Sequence, residues 1–239
     1  MADRANGPGD WPHGLTHLQP SGSAMDLFLT LVSGVAWTVV YVAAIRIGFR
    51  QRTYAIPVAA LALNFAWEVV YTVQSLSDVD VQTFVNATWA LADVVIVVTF
   101  FRFGRSELPG FVTRGLFVGW SVLLFVTAFA VQLLFLDEFG AHDAARYSAF
   151  LQNLLMSGLF VAMFVARRGL RGQSRTIAVA KLVGTAAPTV LFGAIEGSAF
   201  ILGLGVLCAV LDSVYVWLVW RAPAVVRSRE SAPAVPAGV

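Results

Sequence analysis

Residues 64–71 read Asn-Phe-Ala-Trp-Glu-Val-Val-Tyr, inside an apolar stretch that runs from 54 to 74. Inserting an acid at the middle of such a stretch costs about 2.5–3.5 kcal/mol, which points to a function for Glu68. At helical spacing Asn64, Trp67, Glu68 and Tyr71 fall at i, i+3, i+4 and i+7, so an amide, an indole, a carboxyl and a phenol share one face. That face is predicted to look into the protein and away from lipid.

The rest of the chain fits a membrane setting. Of its 239 residues 58% are hydrophobic and only 13% charged, with a mean hydropathy of +0.76, too few charges to cover a soluble domain of this size. Crossing the hydrocarbon takes about 20 apolar residues, and seven such stretches are read, at 27–47, 54–74, 83–101, 111–136, 147–166, 177–196 and 199–220. The expected fold class is all-α, a polytopic bundle of seven transmembrane helices over residues 26–221. A polar outer tail (1–25), without the apolar core of a signal peptide, and a cytoplasmic tail (222–239) are both expected to be disordered.

Arginines set the orientation, because short cytoplasmic loops collect basic residues. Arg46, Arg50 and Arg52 flank the first connection, Arg102 and Arg105 the third, and Arg167, Arg168, Arg171 and Arg175 the fifth, while Arg221, Arg227 and Arg229 lie at the C-terminal end. The second connection carries Asp78 and Asp80 without a base, and the fourth has Arg146 among Asp137, Glu138 and Asp143. This places the N-terminus outside and the C-terminus in the cytoplasm. The net charge of +2 follows from that topology, and arginines dispersed over loops exclude a nucleic-acid surface. Cys208 is the lone cysteine, so no intrachain disulfide can form.

The spans contain the carboxyls of Glu68, Asp93, Glu196 and Asp212 against one lysine, Lys181, with Arg46 and Arg114 at span ends. Lys181 is read as lying near the cytoplasmic end of its span, its stem snorkelling to the interface, and so as a poor partner for deeper acids. The buried carboxyls are then expected to be protonated or mutually hydrogen-bonded, since desolvation disfavours the charged form. Asn86, Trp89 and Asp93 repeat the amide, indole and acid pattern on the third span, and Asp212 and Tyr215 are i and i+3 on the seventh. With a rise of about 1.5 Å per residue, Glu68, Asp93 and Asp212 fall about 9, 15 and 20 Å below the outer end of their spans. Three helices could thus converge on one pocket. Gln132, Gln152 and Asn153 lie in the outer half as well, suggesting a polar chamber open to that side or laterally to lipid.

Competing structural readings exist for many of these residues. Amides and acids also join transmembrane helices, at about 0.6–2 kcal/mol per bond. That reading rivals function for the five intramembrane amides and for Asp93, while Glu68 and Asp212 favour function. Glu196, in the Glu196-Gly197-Ser198 turn, reads as a hydrated loop residue. Trp37, Trp120, Trp217 and Trp220 read as interfacial or packing residues.

His13, His17 and His142 all fall in outer segments, with no Cys/His cluster in the core, so no metal and no cofactor is expected. Ionisation of a diphosphate is disfavoured, because no Asp-rich motif accompanies basic residues at the depth of the acids. Neither a Ser-His pair nor a glycine-rich phosphate loop is present. Acids and aromatic rings in a dry pocket suit a reaction that protonates an apolar group and proceeds through a cation, which a desolvated aromatic face stabilises by about 2 kcal/mol. A hydrogen bond from Asn64 or a second acid would stabilise the anion left on Glu68.

Asn64-x-x-Trp67-Glu68-x-x-Tyr71 in the second span, Trp89-x-x-x-Asp93 in the third and Asp212-x-x-Tyr215 in the last resemble the integral-membrane meroterpenoid cyclases. These belong to fungal pyripyropene- and paspaline-type pathways and to bacterial drimentine-type indole terpenoid pathways. The resemblance implies a metal-independent, acid-initiated cyclisation of a prenyl chain, farnesyl in the bacterial branch, attached to an aromatic or indole/cyclodipeptide headgroup. It assigns Glu68 as the protonating acid or its partner and Asp212 as the second essential acid. Asp93, Trp67, Trp89, Tyr71 and Tyr215, with Asn64 and Asn86, would line the cavity and steady the cation. The implied partners are a prenylated small molecule, the lipid bilayer and an upstream prenyltransferase of the same pathway. The arginine-rich, lysine-poor composition points to the bacterial branch and a bacterial plasma membrane.

The alternative is a proton-coupled small-solute transporter using the same intramembrane carboxyls. It lacks a visible internal repeat or paired broken helices. A retinal protein is excluded because the seventh span contains no lysine for a Schiff base.

Overall fold

The computed structural model describes residues 24–77, 79 and 81–230. The expected outer tail through residue 23, with His13 and His17, falls outside these residues, as do Asp78, Asp80 and the tail from 231. Six long helices follow one another: α1 (Ala24–Gln51), α2 (Val58–Gln74), α3 (Val81–Phe103), α4 (Arg114–Arg167), α5 (Arg175–Pro188) and α6 (Ala199–Glu230). Among the described residues there is no strand. Among the described residues five helices are long and apolar enough to cross a membrane: α1, α3, α4, α5 with its continuation to Ile195, and α6. Large apolar side chains such as Leu27, Phe84, Leu91 and Leu134 are exposed along them. Only a hydrocarbon environment makes that arrangement favourable, and the protein is a multi-pass membrane protein.

The 54-residue α4 is not one rod. Gly140 interrupts it with φ 71° and ψ 164°, a backbone conformation that glycine adopts without steric cost. Gln132 Nε2 donates to Gln152 Oε1 at 2.9 Å, although twenty residues of straight helix would part them by about 30 Å. The chain therefore folds back at Gly140. The polar segment read as a fourth connection, Asp137 to Arg146, is helical on both sides of this reversal. Thr113 caps the start of α4 by accepting from Leu116 N, and Ser174 does the same for α5 through Ile177 N.

Pro188 ends α5 and a π-helical segment, Thr189–Ile195, continues it. Proline has no N–H to offer the carbonyl four residues back; Ser33 of α1 donates to that carbonyl, Gly184 O, at 2.9 Å. The hydroxyl replaces the lost bond where no water could. Gly184 also lets α1 approach α5, since a Cβ there would lie 3.0 Å from the Trp37 ring.

The helices close a ring in which α3, α1, α5, α6, α4 and α2 each pack on the next, and α2 returns to α3. The main core lies inside the ring around Val40, Leu61, Ile96, Phe160, Tyr215 and Val219.

The contact of the π segment with α6 depends on Gly193, whose added Cβ would stand 2.8 Å from Leu202 Cα. Gly193→Ala is expected to destabilise the protein by about 1–3 kcal/mol, since backbone on the far side cannot yield. Thermal unfolding in detergent checks this against Gly158→Ala, where a Cβ meets nothing within 4 Å and Tm should not fall.

Candidate active site

Four side chains from three helices make a continuous polar chain. Asn64 Nδ2 on α2 donates to Asp93 Oδ2 on α3 at 2.8 Å and to the Tyr41 hydroxyl on α1 at 2.6 Å. Tyr41 in turn donates toward Glu68 Oε1 at 3.5 Å, a long contact. Asn64 carries two amide hydrogens, so it can serve both acceptors at once. Asp93, Glu68 and Tyr41 are buried, and among the described residues no basic side chain bonds either carboxyl. Glu68 Oε2 and Asp93 Oδ1 have no hydrogen-bond partner among the described residues. Two carboxyls this dry and this close cannot both remain ionised without a large cost in electrostatic energy. The chain is thus suited to hold a proton on an acid.

Trp89 completes this centre, stacking on Tyr41 with ring centroids 5.9 Å apart and donating from Nε1 to Thr38 Oγ1 at 3.3 Å. Tyr41 had gone unnoticed in the sequence. A lone tyrosine in an apolar span is cheap to bury once its hydroxyl is bonded, so it carries no signal comparable to that of an acid.

Asp212 belongs to a second centre. Lys181 Nζ on α5 donates to Asp212 Oδ1 and Oδ2 on α6 at 2.9 and 3.0 Å, and to Ser157 Oγ on α4 at 2.6 Å. Both charged side chains have zero exposure. This corrects the reading of Lys181 as a snorkelling residue unable to partner an acid. It stands about 9 Å along α5 from Arg175, and three buried acceptors compensate its ammonium better than a stretched path to the interface would. Glu68 and Asp93 belong to one hydrogen-bonded chain, whereas Asp212 sits in an ion pair.

The face of α2 divides in the same way. Asn64 and Glu68 turn to the first centre, while Trp67 Nε1 donates to Ala145 O at 2.9 Å and Tyr71 OH lies 3.5 Å from Ser148 Oγ, both across on α4. Their rings pack together at 5.1 Å. Asn86 accepts from Gln82 Nε2 at 2.6 Å, one turn away on α3. Tyr215 is buried against Phe160 at 5.2 Å, its hydroxyl without a partner among the described residues. Gln132 binds Gln152, and Asn153 Nδ2 donates to Thr185 Oγ1 at 2.7 Å, so these amides join helices. Glu196 pairs with Arg146 at 2.6 Å on the surface.

Two cavities of about 620 Å³ each lie along α3 and the first half of α4, and Glu68, Asp93 and Asp212 line neither. Among the described residues no three of His, Cys, Asp and Glu are grouped to hold a metal ion.

Comparison with known proteins gives a consistent result. The family profile of the Pyr4-like transmembrane terpene cyclases matches residues 19–195, which takes in Tyr41, Asn64, Glu68, Asp93 and Lys181 and ends before Asp212. Similar proteins include the terpene cyclase pyr4 of Aspergillus fumigatus, 28% identical over 203 residues that make up 80% of this chain and 84% of that protein. The Pyr4-family terpene cyclase mfmH of Annulohypoxylon moriforme is 26% identical over 166 residues, 69% of this chain and 68% of that one. The terpene cyclase cle7 of Aspergillus versicolor is 27% identical over 169 residues, 66% and 68% of the two chains. No solved structure matches the chain.

Removing one member of the Lys181 and Asp212 pair strands a buried charge. Lys181→Met or Asp212→Leu alone is expected to cost about 3–5 kcal/mol, and the double variant to recover most of that loss. A double-mutant cycle of unfolding free energies measures the coupling. Additive losses would show that the pair does not interact.

Proposed function

This chain belongs to the Pyr4-like transmembrane terpene cyclases, and we propose that it carries out a metal-independent, acid-initiated cyclisation of a prenyl chain, farnesyl in length, attached to an aromatic or indole/cyclodipeptide headgroup. That it is a membrane enzyme catalysing terpene cyclisation follows from its family and relatives. The acid-initiated route is supported above all by the Asp93, Asn64, Tyr41 and Glu68 chain, two buried carboxyls linked by neutral donors with no bonded cation. The transporter alternative finds no support in these relatives.

Glu68 is the proton donor of this proposal. Its proton passes to a terminal alkene carbon, or to an epoxide oxygen whose C–O bond then opens, and a tertiary cation forms. Successive C=C pairs of the chain attack that cation and close the rings. Loss of a proton from carbon leaves a C=C bond and returns the proton to the enzyme, so the reaction is a net isomerisation. The Tyr41 hydroxyl donates to the carboxylate left on Glu68, and the unpartnered oxygen of Asp93 offers a place for the proton to be shared. Asp212, with both oxygens held by Lys181, is a carboxylate and suits the accepting role, not the donating one. Trp89 beside Tyr41 steadies the cation, and Asn86, Trp67, Tyr71 and Tyr215 are the further residues assigned to substrate and cation binding.

The backbone supports seven membrane spans when α4 is taken as two across Gly140 and α2 as a short span of 17 residues. The arginine distribution supports an outside N-terminus, with tails flanking a single transmembrane domain over 26–221. The arginine-rich, lysine-poor composition supports a bacterial plasma membrane, and a substrate that arrives already prenylated implies an upstream prenyltransferase.

Membranes holding the full chain, incubated in EDTA with farnesylated indole or cyclodipeptide with and without a terminal epoxide, test the reading. Cyclic product is expected despite chelation. Glu68→Gln should lower the rate by at least about 100-fold, the lower bound for a lost general acid, and Tyr41→Phe by about tenfold, near the worth of one hydrogen bond. Glu196→Gln, on an exposed pair worth about 0–1 kcal/mol, should be silent. Wild-type turnover by an inserted Glu68→Gln protein would remove Glu68 from the chemistry.

A further inference from the structure

The cavities along α3 and the first half of α4 are unlike each other and adjoin at Phe101. One opens at the end of the bundle among Arg102, Arg105 and Arg114, floored by Phe117 and bordered by Pro109 and Gly110. The other is a groove almost wholly apolar, walled by Phe65 of α2, Phe101 of α3 and Phe125, Val126 and Phe129 of α4. Its walls meet through rings: Phe101 lies 6.0 Å from Phe117 and 6.3 Å from Phe125, and Phe65 lies 6.2 and 6.0 Å from Phe125 and Phe129. Between Phe117 and Leu133 the groove follows α4 for about 24 Å, most of the roughly 30 Å hydrocarbon core.

The charge at the open end is unbalanced. Glu107 is the one acid in the Gly104–Glu107 turn, and Arg171 engages it at 2.7 Å. Among the described residues no carboxylate pairs with Arg102, Arg105 or Arg114, and all three are exposed. Arg105 Nε has only a 3.5 Å contact with Val112 O, and the Arg102 guanidinium sits 5.6 Å from the Phe103 ring. Phe111, 77% exposed at the tip of the same loop, is a residue for the membrane interface rather than for water.

We propose that this composite groove is a site for an anionic membrane phospholipid, its phosphate among Arg102, Arg105 and Arg114 and one acyl chain along the phenylalanine-lined groove. Guanidinium groups match phosphate oxygens in a bidentate fork. The apolar groove supplies what a soluble anion cannot use. The catalytic acids line neither part, so the site is separate from the cyclisation chemistry and its test is independent of it.

Phosphatidylglycerol and phosphatidylcholine with identical acyl chains are titrated onto the detergent-solubilised, delipidated full chain, with bound lipid counted by native mass spectrometry. Phosphatidylglycerol is expected to bind at least about tenfold more tightly, a modest return from three arginines near a phosphate. Replacing Arg102, Arg105 and Arg114 together by glutamine should erase that preference, and replacing Arg46, Arg50 and Arg52 should leave it. Ala130→Trp, which fills the groove without touching charge, should weaken both lipids. Equal affinity for the two lipids, or a preference that survives the first triple substitution, would overturn the proposal. So would glycerol 3-phosphate binding as tightly as the whole lipid, or farnesol displacing phosphatidylglycerol from wild type and triple variant alike.

Discussion

A carboxyl carried into hydrocarbon has to find its partners inside the bundle, because no water is there to solvate it. The protein meets this constraint in two ways. In one, Asn64 and Tyr41 form a chain of neutral donors between the carboxyls of Asp93 and Glu68. In the other, Asp212 is ion-paired with Lys181, whose ammonium also donates to Ser157. Each solution is also a fastening. The first ties α1, α2 and α3 together, and the second ties α4, α5 and α6.

This division gives two acids of one type opposite chemical characters through environment alone. An acid lacking a cation can release a proton to a substrate, while one locked to an ammonium is already spent as a donor and available as an acceptor. A cyclase needs both functions, since the proton that starts the reaction must be recovered at its end. Aromatic rings adjoin both centres. Trp89 stacks on Tyr41, and Phe160 packs on Tyr215, three residues along α6 from Asp212.

What could be read from the sequence follows from the cost of each feature. Glu68, Asp93 and Asp212 stood out because an acid in an apolar span is expensive, and the seven apolar stretches are helical over most of their described length, with residues 54–57 and 111–113 lying before the helices that follow them. Pro188 costs its helix the bond to Gly184 O, but the remedy is not legible in the sequence: Ser33 lies 151 residues from Gly184, and an ordinary serine gives no hint that it fills a vacated bond. Lys181 was misread because distance to the interface was weighed without the possibility that an acid on another helix would meet it inside. Tyr41 was invisible for the opposite reason, being cheap to bury. The reversal at Gly140 was read as a loop because acids and a histidine cluster there; local backbone bonds keep the chain helical up to and beyond the one residue that turns.

The central claim is that Glu68, in its chain with Tyr41, Asn64 and Asp93, holds a proton while Asp212 is ionised. Infrared difference spectroscopy of the full chain in lipid at neutral pH reads this directly. Substituting Glu68 by glutamine should remove a protonated-carboxyl C=O band that Tyr41→Phe only shifts, and Asp212→Asn should remove a carboxylate band instead. Loss of a carboxylate band from Glu68→Gln, with the protonated band untouched, would contradict the account.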